Sequence, residues 1–292
     1  MKVLLLLTLA AFASAETFKG LPTISAHGYI QKIGIPLAEK IRKAEEAAAA
    51  DSSRIVGGTP SHVGQFPYQV GLLTSYAGIS GTGICGGSII STTRVITAAH
   101  CWFDGNNRGV STTVVAGSNH LFSGGVRTVS TNVILHPDWF WILVRNDVAV
   151  IHLPVPLTFS SLISSIALPS GAQIQESFAG ERAVASGFGL TVAGGNIPSN
   201  QVLSHVELNV ITNSICRVAF PLNLQDSNIC TSGLGGPGTC QGDSGGPLAV
   251  IRNGHPILIG ITSFGSGLGC DSFMPAVYAR SSSFLNFFHQ HL

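Results

Sequence analysis

Cys240-Gln241-Gly242-Asp243-Ser244-Gly245-Gly246-Pro247 is the stretch on which the reading of this 292-residue chain turns. Its glycines allow a tight backbone turn and expose amide N–H groups around Ser244. Alone, a Gly-rich Asp-Ser-Gly-Gly is an ordinary loop. Two upstream stretches change that. Thr97-Ala98-Ala99-His100-Cys101 follows a strand-like run and puts a His at a strand end beside a Cys. Asn146-Asp147-Val148-Ala149-Val150 places one carboxylate at the head of an apolar strand, where it needs hydrogen-bond partners. Most of the ten His in the chain are surface or packing residues. Jointly, the three stretches supply a nucleophile, a base and an orienting acid.

The surrounding sequence is all-β in pattern. Short runs such as Val95-Ile96-Thr97, Thr113-Val114-Val115, Val148-Ala149-Val150-Ile151 and Ile257-Leu258-Ile259 are punctuated by Gly, Ser, Asn and Pro. The one convincing helix lies at the end, with Ser283 as a cap before Phe284, Leu285, Phe287 and Phe288. From Ile55 onward there is no Lys, and eight Arg face nine acidic residues, a formal charge of −1. No basic patch results, which excludes nucleic acid as an expected partner. All six Cys lie in this region: Cys85, Cys101, Cys216, Cys230, Cys240 and Cys270. Six cysteines allow 15 pairings; the simplest, in chain order, is 85–101, 216–230 and 240–270. No C-x-x-C pair is present, so no zinc site is expected, nor any other metal or cofactor.

The N-terminal part is different in kind. Lys2, an apolar run and Ala13-Ser14-Ala15 form a secretory leader over 1–15. The run is too short to span a bilayer; a secreted chain with no membrane partner is expected. Residues 16–54 read as a pro-segment, too short and polar for a core of its own, with good helix formers over Ala38–Ala50. The apolar fraction and length of residues 55–292 suit one large domain or two small ones.

Ile55-Val56-Gly57-Gly58, Thr97 to Cys101, Asn146 to Ile151 and Gly242 to Pro247 together resemble the chymotrypsin-type serine proteases. The resemblance covers Ile55 to the C-terminus and is greatest to the digestive chymotrypsins and collagenase-like enzymes of insects. It implies one serine protease domain over 55–292 made of two six-stranded antiparallel β-barrels, the first over about 55–165 and the second over about 166–280, with a C-terminal helix over about 281–292 and the active site between the barrels. It implies Ser244 as nucleophile, His100 as base, Asp147 as the acid that orients it, and the N–H groups of Gly242 and Ser244 as the oxyanion hole. It also implies a zymogen: cleavage between Arg54 and Ile55 creates an α-ammonium that turns inward to pair with Asp243.

The same resemblance places the base of the specificity pocket at Gly238, with Thr239, the wall Ser263-Phe264-Gly265, and Ala276 opposite. No acid stands at 238, so the pocket is neutral and suits Phe, Tyr, Leu or Met. Asp271 is near in sequence and leaves open a broad, collagenase-like preference. A neutral pocket should not cleave after Arg54, so a separate trypsin-like protease is expected as activator. Protein or peptide substrates and protein inhibitors are the expected partners of a monomer. The loop Gly117–Arg127 has no acid, so the calcium site of some relatives is not expected; no N-glycosylation sequon follows Ile55. Lys loses its charge in strongly alkaline fluid and Arg does not, so the missing lysines point to an alkaline gut lumen. Two rivals stand beside this reading. The Gly242-x-Ser244-x-Gly246 elbow also fits an α/β-hydrolase, with too little chain after Ser244. An inactive homologue that binds partners would ordinarily lack the Ser or His.

Overall fold

The computed structural model describes residues 24–50, 61–191, 197, 201–234, 238–270 and 272–292. The leader, the Arg54–Ile55 junction and Asp271 lie outside the described residues.

Seven strands form the first sheet: β1 (Gln69–Tyr76), β2 (Thr82–Ser91), β3 (Arg94–Thr97), β4 (Gly109–Ala116), β5 (Val126–Ser130), β6 (Asn132–Leu135) and β7 (Ala149–His152). Their order is β5-β4-β1-β2-β3-β7-β6, and every pairing is antiparallel. The expected count was six. The two edge strands are chain neighbours, broken only at Thr131, so one bent strand pairs with β4 through its first half and β7 through its second. That bend rolls the sheet into a barrel.

The second sheet is a closed six-stranded barrel, β10-β13-β12-β11-β8-β9. It is built from β8 (Arg182–Gly187), β9 (Ser204–Ile211), β10 (Asn228–Thr231), β11 (Pro247–Arg252), β12 (His255–Phe264) and β13 (Ala276–Arg280). Asn253 and Gly254 link β11 to β12 with φ of 52° and 79°. Two successive left-handed residues match the twist of a two-residue hairpin, which is why Asn-Gly is favoured there. The disulfides join Cys85 to Cys101, Cys216 to Cys230 and Cys240 to Cys270, the chain-order pairing.

Among the described residues, three helices accompany the barrels: α1 (Ile35–Ala50), preceded by a π-helical turn over Ile30–Gly34, α2 (Asn213–Ala219) and α3 (Leu285–Gln290). The sequence reading saw only the last as convincing. Helix α2 is one short stretch, started where the Thr212 hydroxyl accepts the Ile215 N–H, a cap that polar punctuation disguised as a turn. Ser283 is not the cap of α3; it lies in the 3₁₀ turn Ser281–Phe284 that leads into it. Phe284, Phe287 and Phe288 join one apolar cluster with Val95 and Val150 of the first barrel and Leu258 and Ile261 of the second. The C-terminal helix therefore clasps the two barrels.

Residues 24–50, expected to belong to a pro-segment without a core of its own, pack on the core of the residues that follow. Ile24 and Ala26 pack with Phe220 and Phe264, Tyr29 and Ile30 enter the cluster that spans both barrels, and Leu37, Ala38 and Ile41 pack on Ile84, Leu121 and Phe188. Each large side chain so buried is worth about 1.5–3 kcal/mol in removed apolar surface.

Candidate active site

The cleft between the barrels brings the three chemical stretches together. Strand β3 ends at Thr97, and a 3₁₀ turn over Ala99–Cys101 carries His100, whose side chain is fully buried. The neighbouring Cys101–Cys85 disulfide ties that turn to β2. Asp147 precedes β7 and is 2% exposed. Its Oδ1 accepts the His100 backbone N–H at 2.9 Å, and its Oδ2 accepts His100 Nδ1 at 2.7 Å. The Ser263 hydroxyl donates to the same Oδ2 at 2.6 Å. With Nδ1–H given to the carboxylate, the neutral ring presents Nε2 as an acceptor; this tautomer is assigned from the hydrogen bonds.

Ser244 lies in the turn between Cys240 and β11, where the Asp243 N–H reaches the Cys240 carbonyl (3.1 Å) and the Gly246 N–H the Asp243 carbonyl (2.9 Å). Gly242 and Gly245 have φ of 100° and 79°, left-handed values that a side chain strains. Among the described residues, the N–H groups of Gly242 and Ser244 have no protein acceptor, which leaves them available to an oxyanion.

The turn is fastened across the cleft. The Gly86 N–H of the first barrel donates to the Ser244 carbonyl at 2.7 Å, while within the second barrel the Gly245 N–H donates to the Thr262 carbonyl at 2.8 Å. A Cβ at Gly245 would stand 2.2 Å from Thr97 Oγ1 and 2.6 Å from the Gly86 carbonyl. We expect Gly245→Ala to destabilise the protein by more than about 4 kcal/mol, because strain and a clash with backbone coincide there. Urea unfolding of the variant checks this; a loss below about 1 kcal/mol would mean the barrels can part at no cost.

Asp243 turns away from Ser244. Its carboxylate accepts the Gly189 N–H (2.9 Å) and the Cys240 N–H (2.8 Å) and packs so closely on Gly187 and Gly189 that a Cβ at either would collide with it. Burial raises its pKa to about 6, against the lowering effect of those two N–H bonds. No described cation pairs with it.

A cavity of about 350 Å³ adjoins Ser244, and all six expected pocket residues line it: Gly238, Thr239, Ser263, Phe264, Gly265 and Ala276. No acidic residue is among the described residues that line it. Phe264 is 3% exposed, its ring edge-on to Phe220 at 5.4 Å, so it backs the wall from behind. Ser263 does more than the expected wall residue, through its bond to Asp147. The sequence reading missed Tyr278, whose hydroxyl joins Thr239 Oγ1 (3.1 Å) and Thr231 Oγ1 (3.4 Å) beneath the pocket. It also missed Tyr29, in the segment before Arg54, which packs edge-on to the His100 ring at 4.9 Å. Cys85, His100 and Cys101 offer atoms within 4.8 Å of one another, but both sulfurs are spent in the disulfide, so the group is no metal site.

Fold and site together define a serine endopeptidase. A profile of the family described as Trypsin matches residues 55–288, and the chain belongs to that family. It is 38% identical over 233 residues to Serine protease 1 of Drosophila melanogaster, covering 80% of this chain and 83% of that protein. Its identity to Brachyurin of Leptuca pugilator is 34% over 241 residues, covering 80% of this chain and 96% of the relative. A solved structure of HL collagenase superposes with a TM-score of 0.73 at 32% identity, over 81% of this chain and 98% of that one. No described helix is long and apolar enough to cross a membrane.

Proposed function

We propose that residues 55–292 are a secreted, digestive serine endopeptidase, released from a precursor by cleavage after Arg54, that cuts after large hydrophobic residues. The observation that carries the catalytic reading is the carboxylate of Asp147 holding His100 by both its backbone N–H and Nδ1. That grip leaves Nε2 free to take the Ser244 proton as Oγ attacks the scissile carbonyl. The C–N bond then breaks, His100 returns the proton to the leaving amine, and an acyl-enzyme remains. Water, deprotonated by the same Nε2, attacks the ester and frees Ser244. The N–H groups of Gly242 and Ser244 receive the oxyanion in both halves, and one such donor is typically worth about 10²–10³ in rate.

Activation rests on Asp243. Cleavage after Arg54 would supply an α-ammonium on Ile55, and a buried carboxylate held only by two N–H donors has a strong call for a cation. The neutral cavity supports a preference for Phe, Tyr, Leu or Met, and it supports a separate trypsin-like activator. The ion pairs described beyond the pro-segment, Arg182–Glu207, Arg217–Asp226 and Arg252 with Glu176 and Glu181, all use Arg, which suits an alkaline gut lumen. A broad, collagenase-like preference is the second reading, favoured by the likeness to HL collagenase.

The test uses four peptide anilides ending in Phe, Leu, Arg and Ala, before and after trypsin that is then inactivated. We expect cleavage at Phe and Leu at least tenfold above Arg and Ala, only after processing, and fluorophosphonate labelling of Ser244. Comparable cleavage at Arg would transfer the protein to the broad class. No labelling after confirmed cleavage at Arg54 and removal of the freed N-terminal segment would make it an inactive homologue.

A further inference from the structure

The residues that leave when the precursor is cut sit inside the cleft. Ile24 bridges antiparallel to Ser266. The Ser25 N–H donates to the Gly265 carbonyl at 3.1 Å, and the Gly265 N–H returns a bond to Ser25 Oγ at 3.0 Å. This is strand addition along the wall of the specificity pocket. The extended course then stops. The His27 N–H bonds back to the Ile24 carbonyl and the Tyr29 N–H to the Ala26 carbonyl, with Gly28 left-handed at φ 64°. The chain coils into turns at the point where a substrate would lie stretched across Ser244.

Tyr29 occupies that point. It is 1% exposed, its ring meets His100, it lines the same cavity as Ser244, and its hydroxyl donates to the Ile84 carbonyl at 2.9 Å. The Ile30 N–H is fixed by Asp104 Oδ2 at 3.0 Å. Leu37 of α1 covers the oxyanion loop, with Cδ2 2.7 Å from where a Gly242 Cβ would be. At the far end of α1, the Glu45 carboxylate accepts the N–H groups of Leu121 (2.7 Å) and Phe122 (3.0 Å) and the Ser123 hydroxyl (3.2 Å). The acid-free loop Gly117–Arg127 thus receives its carboxylate from the pro-segment. No disulfide tethers residues 24–50 to the domain, since every Cys follows residue 84.

We propose that residues 24–50 are a dissociable inhibitor of the protease: the pro-segment plugs the active site through Tyr29, locks by Glu45, and continues to block the enzyme in trans after the bond at Arg54 is cut. This rests on the reading of Ser244, His100 and Asp147 as the catalytic residues. It adds a second control to the one at Asp243, because severing the chain exposes no active site until the plug also departs.

The test adds a synthetic peptide of residues 24–50 to processed enzyme from which trypsin and the native pro-segment have been removed. Hydrolysis of the Phe anilide falls at least tenfold at a saturating peptide concentration, competitively with substrate, and the peptide is recovered uncut. Tyr29→Ala and Glu45→Ala peptides each inhibit at least tenfold more weakly. Calorimetric titration of the peptide into the same enzyme reads the association whether or not hydrolysis occurs. Full activity at saturating peptide, or no heat of binding, overturns the plug and leaves the catalytic reading standing. Binding to an enzyme that never hydrolyses the anilide overturns the catalytic reading and leaves the docking intact. Equal potency of the two variant peptides overturns the assigned contacts.

Discussion

Asp147→Asn is expected to lower kcat of the processed enzyme by about 10⁴, with KM little changed and the fold intact. The reason is the number of donors that converge on one carboxylate. Asp147 offers one oxygen to the His100 backbone N–H and the other to His100 Nδ1 and the Ser263 hydroxyl. An amide has one oxygen and one NH₂. With its NH₂ toward Nδ1, the ring must accept there and carry its proton on Nε2, where it can no longer deprotonate Ser244. Flipped, the NH₂ faces the backbone N–H and leaves a buried donor without a partner, at about 1–3 kcal/mol. Anilide kinetics at pH 8, beside thermal unfolding of both proteins, check the outcome. A loss under tenfold would show that Asp147 does not set the tautomer.

The second large effect is at Asp243. Under the activation proposed above, Asp243→Asn should leave the processed enzyme at least 10³-fold less active, since an amide cannot form the proposed ion pair with the Ile55 α-ammonium. In the uncut precursor the same variant changes the pH dependence of stability. The folded-state pKa, about 6, lies above the ordinary 3.8. The folded precursor therefore holds its proton more tightly than the unfolded chain. Stability from this group is fully present below about pH 4 and is lost as pH rises through about 6. Asp243 keeps some contact with solvent, so the loss is on the order of 2 kcal/mol rather than the full shift. Urea unfolding of precursor and variant at pH 4 and pH 8 should show their difference in stability change by that amount. An unchanged difference would mean that the carboxylate pays no cost for its position before cleavage.

The all-β class was legible because β-branched runs and their Gly and Asn punctuation carry strand and turn preferences locally, while the two barrels followed only from the family resemblance. The residues that meet at the cleft were legible only jointly. His100, Asp147 and Ser244 are each ordinary alone, and it is their grouping with Gly-rich backbone that narrows the chemistry. What stayed hidden depended on partners distant in sequence. Nothing near Ser263 announces a bond to a carboxylate 116 residues away. Nothing near Glu45 announces that its acceptors are matched to an acid-free loop 76 to 78 positions on. The acid-free loop was noticed as the lack of a cation site, while its backbone N–H groups, which any sequence has, make it a receptor for an anion. The segment before Arg54 looked too polar for a core because only one face of α1 is apolar, and that face needs a second surface to count.

Each of the three cross-links closes within one barrel: Cys85–Cys101 in the first, Cys216–Cys230 and Cys240–Cys270 in the second. The halves are stitched separately and share no covalent seam apart from the main chain between Leu153 and Arg182. The proposed catalytic groups are divided by the same line, His100 and Asp147 on one side and Ser244 on the other. The molecule is thus modular in a strong sense: two independently oxidisable pieces, either of which is chemically incomplete, become a protease by docking, with α3 as the latch. A split version made of the two pieces would turn reassembly itself into an enzymatic signal.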